Sequence, residues 1–312
     1  MNPWVVSRRS CLSLMAGGVM WGHWEKPLLG AEENGGTWNL QTRSRRPERR
    51  ENQPDVFVEI NGQAKWPAKN MAVIICDMWD NHWCQGAAQR VVELAEPLNR
   101  FANTARKQGA FIIHAPSSVV DFYAETPQRK LAQQAKFAKT PVPLSTDTRW
   151  GTCWCYPDAP REAELPIDDS DMGCDCATKC ALPTPGKDPW TRQIKSIDIL
   201  DGDAISHDGQ EVFNLLAERQ IEHVMLVGVH LNMCVLGRPF GIRQMVKLGK
   251  QVVLVRDLTD TMYNHEKKPF VSHFAGTDLV VEHVEKYWCP TITSNQLLGG
   301  KPFQFRDAAH KR

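Results

Sequence analysis

Two places in the chain carry residues suited to thiol chemistry. The apolar run Met71-Ala72-Val73-Ile74-Ile75-Cys76 ends in Asp77-Met78-Trp79-Asp80-Asn81, and a second run, His223 to Gly228, leads into Val229-His230-Leu231-Asn232-Met233-Cys234-Val235. A carboxylate leaving a buried strand at its carboxyl end can point into a crevice, or it can cap the next turn. A cysteine opening a helix meets unpaired N–H groups and the positive end of the helix dipole, which favour a thiolate and can stabilise an oxyanion. A free cysteine can equally be a packing residue. Lys195, just before the strand-like Ser196-Ile197-Asp198-Ile199-Leu200, can hold a thiol as its thiolate, with Arg192 as a rival cation, or it can be an ordinary surface lysine. Trp79, His82 and Trp83 after Asp77, together with His114 and His230 at strand ends, can line a substrate pocket or serve packing and hydrogen bonding.

The elements that must position these residues follow from periodicity. Continuous apolar runs at 71–76, 110–114, 223–228 and 251–255 read as strands buried on both faces. Helical spacing at Val91, Val92, Leu94, Ala95, Leu98 and Phe101, at Val212 to Leu216, at Val235 to Leu248 and at Val271 to Lys286 places helices between and after them. Strands alternating with helices predict an α/β fold: a doubly wound, mostly parallel sheet with helices on both faces. Sites in such sheets form at the carboxyl ends of strands, which is where Asp77 and Cys234 fall. Val56 to Ile60 followed by Asn61-Gly62 predicts a strand and a tight turn.

With strand order and both motifs in hand, the chain resembles isochorismatase-like cysteine hydrolases over roughly residues 70 to 285. Ile74-Ile75-Cys76-Asp77-Met78 resembles the Asp-Met-Gln-Asn motif that opens those proteins, and Gly228 to Val235 resembles their Gly-Val-x-Thr-Asp-x-Cys-Val segment. The resemblance implies an Asp, Lys, Cys triad of the nicotinamidase and carbamoylsarcosine amidase type: Asp77, Lys195 and Cys234. It also implies a cis peptide at Val229-His230 and an oxyanion site shaped by Val229, His230 and Cys234. The implied activity is hydrolysis of a C–N bond in a small amide or related acyl compound, with a covalent intermediate and no cofactor required for catalysis. Leu231 stands where the family usually has threonine, and the nicotinamidase metal pair of Asp-x-His is lacking at His114-Ala115-Pro116-Ser117. Two rivals remain: a vinyl ether hydrolase of the same fold, which would lean on the Asp alone, and a non-catalytic binding protein that uses a cysteine-rich insertion for contacts.

That insertion, 115–190, has many prolines, five cysteines and little periodicity beyond a short helix near 128–137, as a lid or small subdomain would. Cys153, Cys155, Cys174 and Cys176 form two Cys-x-Cys pairs. They can build a structural zinc site, form two disulfides or remain free thiols, and in either cross-linked form they would hold the segment rigid. Cys76 and Cys289 read as packing residues. At the amino end, Ser7-Arg8-Arg9-Ser10-Cys11-Leu12 resembles a twin-arginine export signal, with Leu29-Gly30-Ala31 as a small-residue cleavage site. Export to the periplasm is then expected, and a cytoplasmic protein if the segment is only a basic leader. The domain reading is a signal at 1–31, a polar linker at 32–54 and the hydrolase domain at 55–312. A net charge of +1 gives no electrostatic footprint for nucleic acid, and no apolar run approaches the roughly 20 residues of a membrane span. The expected partners are a small-molecule substrate and, as is common in the family, further copies of the chain in a homo-oligomer, with 271–286 offering an interface helix.

Overall fold

The computed structural model describes residues 36–50, 53–184 and 186–306; the twin-arginine-like segment lies outside them. Four strands form the parallel centre: β3 (Met71–Cys76), β4 (Phe111–Ala115), β8 (His223–Val229) and β9 (Gln251–Asp260). β7 (Ala204–Ile205) and β10 (Thr291–Ile292) extend it, and β1 (Thr37–Arg50) with β2 (Gln53–Pro67) completes an eight-stranded sheet in the order β2-β1-β10-β9-β8-β3-β4-β7. From β10 to β7 every pairing is parallel.

Each central strand carries a continuous apolar run because both faces are covered. Along β3, Ala72, Ile74 and Cys76 pack into one core, while Met71, Val73 and Ile75 pack into another on the opposite face. Helix α1 (Gln85–Lys107) covers the second face with Val91, Leu94, Leu98 and Phe101. Helices α3 (Gly209–Glu218), α4 (Ile242–Lys247) and α5 (His273–Tyr287) cover the first with Val212, Leu216, Met245, Val280 and Val284. The expected doubly wound sheet with helices on both faces is therefore present.

Sheet order also fixes where a site can form. The chain runs from β3 outward to β4 and β7, then returns to β8 on the other side of β3 and continues to β9 and β10. The direction of winding thus reverses between β3 and β8, and the crevice at their carboxyl ends is the switch point where such sheets bind ligands. Cys76 pairs with Gly228 at the end of this ladder. Gly228 has φ of +100°, and a Cβ there would lie 2.1 Å from the Cys76 carbonyl oxygen, so only glycine lets the two strand ends meet this closely.

Several expectations are corrected. The supposed linker is β1, whose register with β2 runs unbroken from Thr37–Pro67 to Glu48–Val56. Trp38 and Leu40 alternate inward as buried residues, and Arg43 and Arg45 are paired: their Nε atoms hold the two oxygens of buried Glu285 at 2.7 and 3.1 Å. Asn61-Gly62 is no turn; β2 runs straight through it, opposite Arg43 and Thr42. The hairpin lies against α5 through Glu285 and through Arg45 with Glu282, so part of the helix expected at an interface is covered by its own chain. The 196–200 stretch is turn and irregular chain, and the insertion between β4 and β7 spans 116–203. It contains α2 (Pro127–Gln134) and a small two-stranded sheet, β5 (Thr148–Arg149) with β6 (Thr152–Cys153). Finally, the helix expected over 235–248 is broken. A π-helical turn, Leu231–Val235, is followed by a bend at Arg238-Pro239 before α4 begins, because Pro239 has no N–H to continue the ladder.

Candidate active site

β3 delivers Asp77 to the switch point and β8 delivers Cys234, through the cis peptide Val229-His230 and the π-helical turn. Asp77 is fully buried with φ of +46°. Its Oδ1 accepts the Ser117 N–H at 2.6 Å, and its Oδ2 has no hydrogen-bond partner. Cys234 is also buried, and the two groups lie close enough to perturb each other's ionisation. Burial pushes the Asp77 carboxyl above the usual carboxylate range, although Arg238, Cys234 and Ser117 all pull it back down. Burial also pushes the Cys234 thiol far up, the Asp77 carboxylate pushes it further, and Arg238 offsets part of the rise. The thiol therefore resists losing its proton to water, and Asp77 is the group placed to take it.

The cation of the site is Arg238, which the sequence reading did not single out. It is buried, its Nη1 donates to the Arg149 carbonyl at 3.3 Å, and its Nε has no partner. It lies four positions after Cys234, and its N–H bonds the Cys234 carbonyl at 2.9 Å, so both side chains leave the same helical face. That spacing was the available signal. Lys195, the expected third member, sits in an exposed turn, and its rival Arg192 lies over the ring of Phe122 at 4.9 Å. The 190–194 segment instead runs beside the Asp77 loop, with Asp80 N–H bonded to the Arg192 carbonyl and Ile194 N–H to that of Met78. This pairing spends the segment on backbone contacts and leaves Lys195 facing outward.

A cavity of about 110 Å³ opens beside Cys234. Trp79, His82, Trp83 and His230 line it, and Trp150, Met172, Asp188 and Trp190 join them from the insertion. Trp79 and Trp190 stack at 4.3 Å and His82 stacks on Trp190 at 5.5 Å, which builds a flat aromatic wall. At the rim, Trp190 Nε1 donates to Ser118 Oγ, which donates to Asp188 Oδ2. Burial lowers His82 to about 4, and its Nδ1 accepts the Cys84 N–H, so the ring is neutral at working pH. His230 is likewise held neutral by burial, and its Nε2 has no partner. Unpaired buried polar atoms on Arg238 and His230 line this cavity, and a bound polar molecule would satisfy them.

His114 does not belong to this pocket. Its Nδ1 pairs with Gln193 Oε1 at 3.0 Å and its Nε2 with Asp203 Oδ2 at 3.1 Å, so both ring nitrogens are used inside the fold. The insertion cysteines also group differently from the expected set. All nine described cysteines are free of disulfides; Cys153 and Cys155 stand apart, and Cys174 and Cys176 meet Cys84 and Cys180. Cys76 and Cys289 are buried packing residues, as read. A larger open groove of about 1100 Å³ along α1 is lined by neither Asp77 nor Cys234.

The fold and site together define an α/β protein carrying a thiol, a carboxylate and a guanidinium at its switch point. No family model and no curated protein matches the chain. Among solved structures it is similar to a cysteine hydrolase from Pseudomonas syringae pv. phaseolicola 1448A, at 15% identity over 74% of this chain and 92% of that one, with a TM-score of 0.45. It is similar to an isochorismatase family protein from Burkholderia thailandensis at 15% identity, over 73% and 93% of the two chains, with a TM-score of 0.42. It is also similar to the nicotinamidase/pyrazinamidase PncA of Bacillus subtilis at 13% identity, over 69% and 94%, with a TM-score of 0.35. These proteins carry the names of the family that the two strand-end motifs resemble.

Proposed function

We propose that the protein is a hydrolase that cleaves the C–N bond of a small amide or related acyl compound through Cys234. One observation carries this reading: a buried thiol and a buried cation line one small cavity, and a buried carboxylate with a free oxygen lies close enough to the thiol to shift its ionisation.

In the first half-reaction Asp77 takes the thiol proton as the sulfur attacks the carbonyl carbon, forming a C–S bond and an oxyanion. Arg238 compensates the negative charge shared by the thiol, the carboxylate and the oxyanion. Backbone N–H groups of the turn after Val229-His230 are the candidates for direct oxyanion donors. Asp77 then passes its proton to the leaving nitrogen, the C–N bond breaks, and an acyl thioester remains on Cys234. In the second half-reaction Asp77 takes a proton from water, the hydroxide adds to the thioester, and the C–S bond breaks. The carboxylic acid leaves, and the thiol regains its proton from Asp77. No cofactor enters these steps. The flat wall of Trp79 and Trp190 favours a planar acyl group, and about 110 Å³ admits only a small one.

The test is a turnover screen over small primary amides and N-carbamoyl compounds with the parent, Cys234→Ala and Asp77→Asn. The expected result is a substrate turned over by the parent alone, with both variants folded. Unchanged turnover in Cys234→Ala overturns the mechanism.

A further inference from the structure

Cys84, Cys174, Cys176 and Cys180 come from two distant parts of the chain, yet their sulfur atoms all lie within 4.8 Å of one another. Cys84 ends the loop that leaves β3 through Asp77 and is the residue that caps α1; the other three lie in the insertion as Cys-x-Cys-x-x-x-Cys. The Cys84 and Cys176 sulfurs are 3.8 Å apart. A disulfide would hold them at about 2.05 Å. Two thiolates at about 2.3 Å from one tetrahedral zinc ion are separated by about 3.8 Å, the edge of that tetrahedron. A multi-iron cluster with bridging sulfides would force its cysteines wider apart than this set allows.

The surroundings suit thiolates. The Gly86 N–H donates to Cys176 Sγ at 3.2 Å and the Gln85 N–H to Cys180 Sγ at 3.5 Å. Both donors belong to the first turn of the 23-residue α1, where N–H groups have no intrahelical acceptor and the dipole favours negative charge. Lys179 reaches across the loop to the Cys174 carbonyl at 3.1 Å. Next to the cluster, Asp175 is held by Arg90 Nη1 at 2.8 Å, which orients the loop that carries Cys174 and Cys176. Four thiolates, two of them with N–H donors behind them, form a closed set of ligands, the arrangement of structural rather than catalytic zinc.

We propose that Cys84, Cys174, Cys176 and Cys180 bind one zinc ion as a tetrathiolate that fastens the insertion to the amino end of α1. The fastening matters for the pocket because its walls flank the ligands on both sides: His82 and Trp83 precede Cys84, Met172 precedes Cys174, and Pro183, Asp188 and Trp190 follow Cys180. Among the described residues from 175 to 190 none is fully buried, so the metal supplies the cross-link that a hydrophobic core supplies elsewhere.

Elemental analysis of the full chain, purified under reducing conditions, tests the site without reference to turnover. One equivalent of zinc per chain is expected. Replacement by cobalt(II) alone is expected to give the ligand-field and thiolate charge-transfer bands of a tetrahedral tetrathiolate. Cys176→Ser and Cys180→Ser should lose the metal, while Cys153→Ser and Cys155→Ser should keep it. A parent free of zinc, a parent holding iron instead, zinc retained by both Cys176→Ser and Cys180→Ser, or a metal-free parent whose intact mass shows these four cysteines joined as two disulfides would each overturn the proposal. The first measurement is made on the parent, so variants that fail to fold do not affect it.

Discussion

Replacing Asp77 with asparagine separates proton transfer within the site from proton loss to water. In the parent, burial and the neighbouring carboxylate make it hard for Cys234 to ionise alone. It forms a thiolate instead by handing its proton to Asp77, which leaves the total charge of the pair unchanged. The Asp77 carboxyl is raised above its ordinary value of about 3.9. Alkylation of Cys234 by iodoacetamide should therefore appear as pH rises through that raised value and then stay flat across neutral pH. In Asp77→Asn the thiol must release its proton to solvent, so the rate should climb about tenfold per pH unit towards the thiol's own value. Burial keeps that value above about 8.5, so at pH 6 the thiolate fraction is below roughly 1 in 300. Losing a general base costs about 10²–10⁴ in turnover. The fold should survive the change, because an amide oxygen can keep the 2.6 Å bond from Ser117 and Oδ2 has no partner to lose. Peptide mass spectrometry of carboxamidomethylated Cys234 from pH 5 to 9 gives both profiles. Equal slopes in parent and variant would mean that Asp77 takes no proton from Cys234, and the mechanism would fail.

Arg238→Met should raise Asp77 further, since the guanidinium is the largest influence holding it down. The acid limb of kcat/KM should then move to higher pH, with kcat lower by about 10- to 1000-fold; an unmoved limb refutes the electrostatic role of Arg238. Glu162 anchors the insertion: its carboxylate receives Arg243 Nε at 2.7 Å, His283 Nε2 at 2.8 Å and Trp288 Nε1 at 2.9 Å, all buried. Glu162→Ala leaves Arg243 as an unpaired buried cation and should cost about 3–5 kcal/mol in urea unfolding; a loss below about 1 kcal/mol contradicts the structure. Burial works against ionisation of Glu162, but its hydrogen bonds win and hold it well below the usual range. Its contribution is thus complete above the unfolded value of about 4.3 and is lost as pH falls from there, which acid unfolding of parent and variant will show as converging stabilities. Gly228→Ala should fold poorly or not at all, because its Cβ would stand 2.1 Å from the Cys76 carbonyl oxygen; parent-like thermal stability excludes the strand-end packing described.

The central strands were legible because a strand covered on both faces is apolar on both, and β3, β4, β8 and β9 each contain a continuous apolar run. β1 was not, because its arginines read as solvated charge. What satisfies them is Glu285, some 240 residues away, and no local pattern announces a partner at that separation. The quieter signal was alternation: Trp38 and Leu40, then Arg43 and Arg45, each two residues apart. The insertion defeated periodicity for a different reason. Its anchors are single polar contacts such as Glu162 to Arg243 and thiol groupings such as Cys176 with Cys84, which depend on where the loop returns rather than on spacing within it.

The two strand-end residues and the cation differ in the same way. Asp77 and Cys234 are tied to sheet topology: once β3 and β8 are neighbours, the residues that follow them must share a crevice. The cation is tied only to charge, and any element within reach can supply it. A lysine on the 190–195 segment was one route. Here that segment pairs with 78–80, and the break at Arg238-Pro239 turns a guanidinium inward one helical turn beyond the sulfur. Arginine cannot lose its proton as lysine can, so the positive charge at this site persists at every working pH. The pH dependence of the reaction is then left to the thiol–carboxylate pair alone, and a second, alkaline limb caused by loss of a lysine proton is not expected. An Arg238→Lys variant that retains turnover should acquire that limb. A profile that stays flat at high pH in Arg238→Lys, with turnover intact, would mean that the cation does not act on the reacting pair.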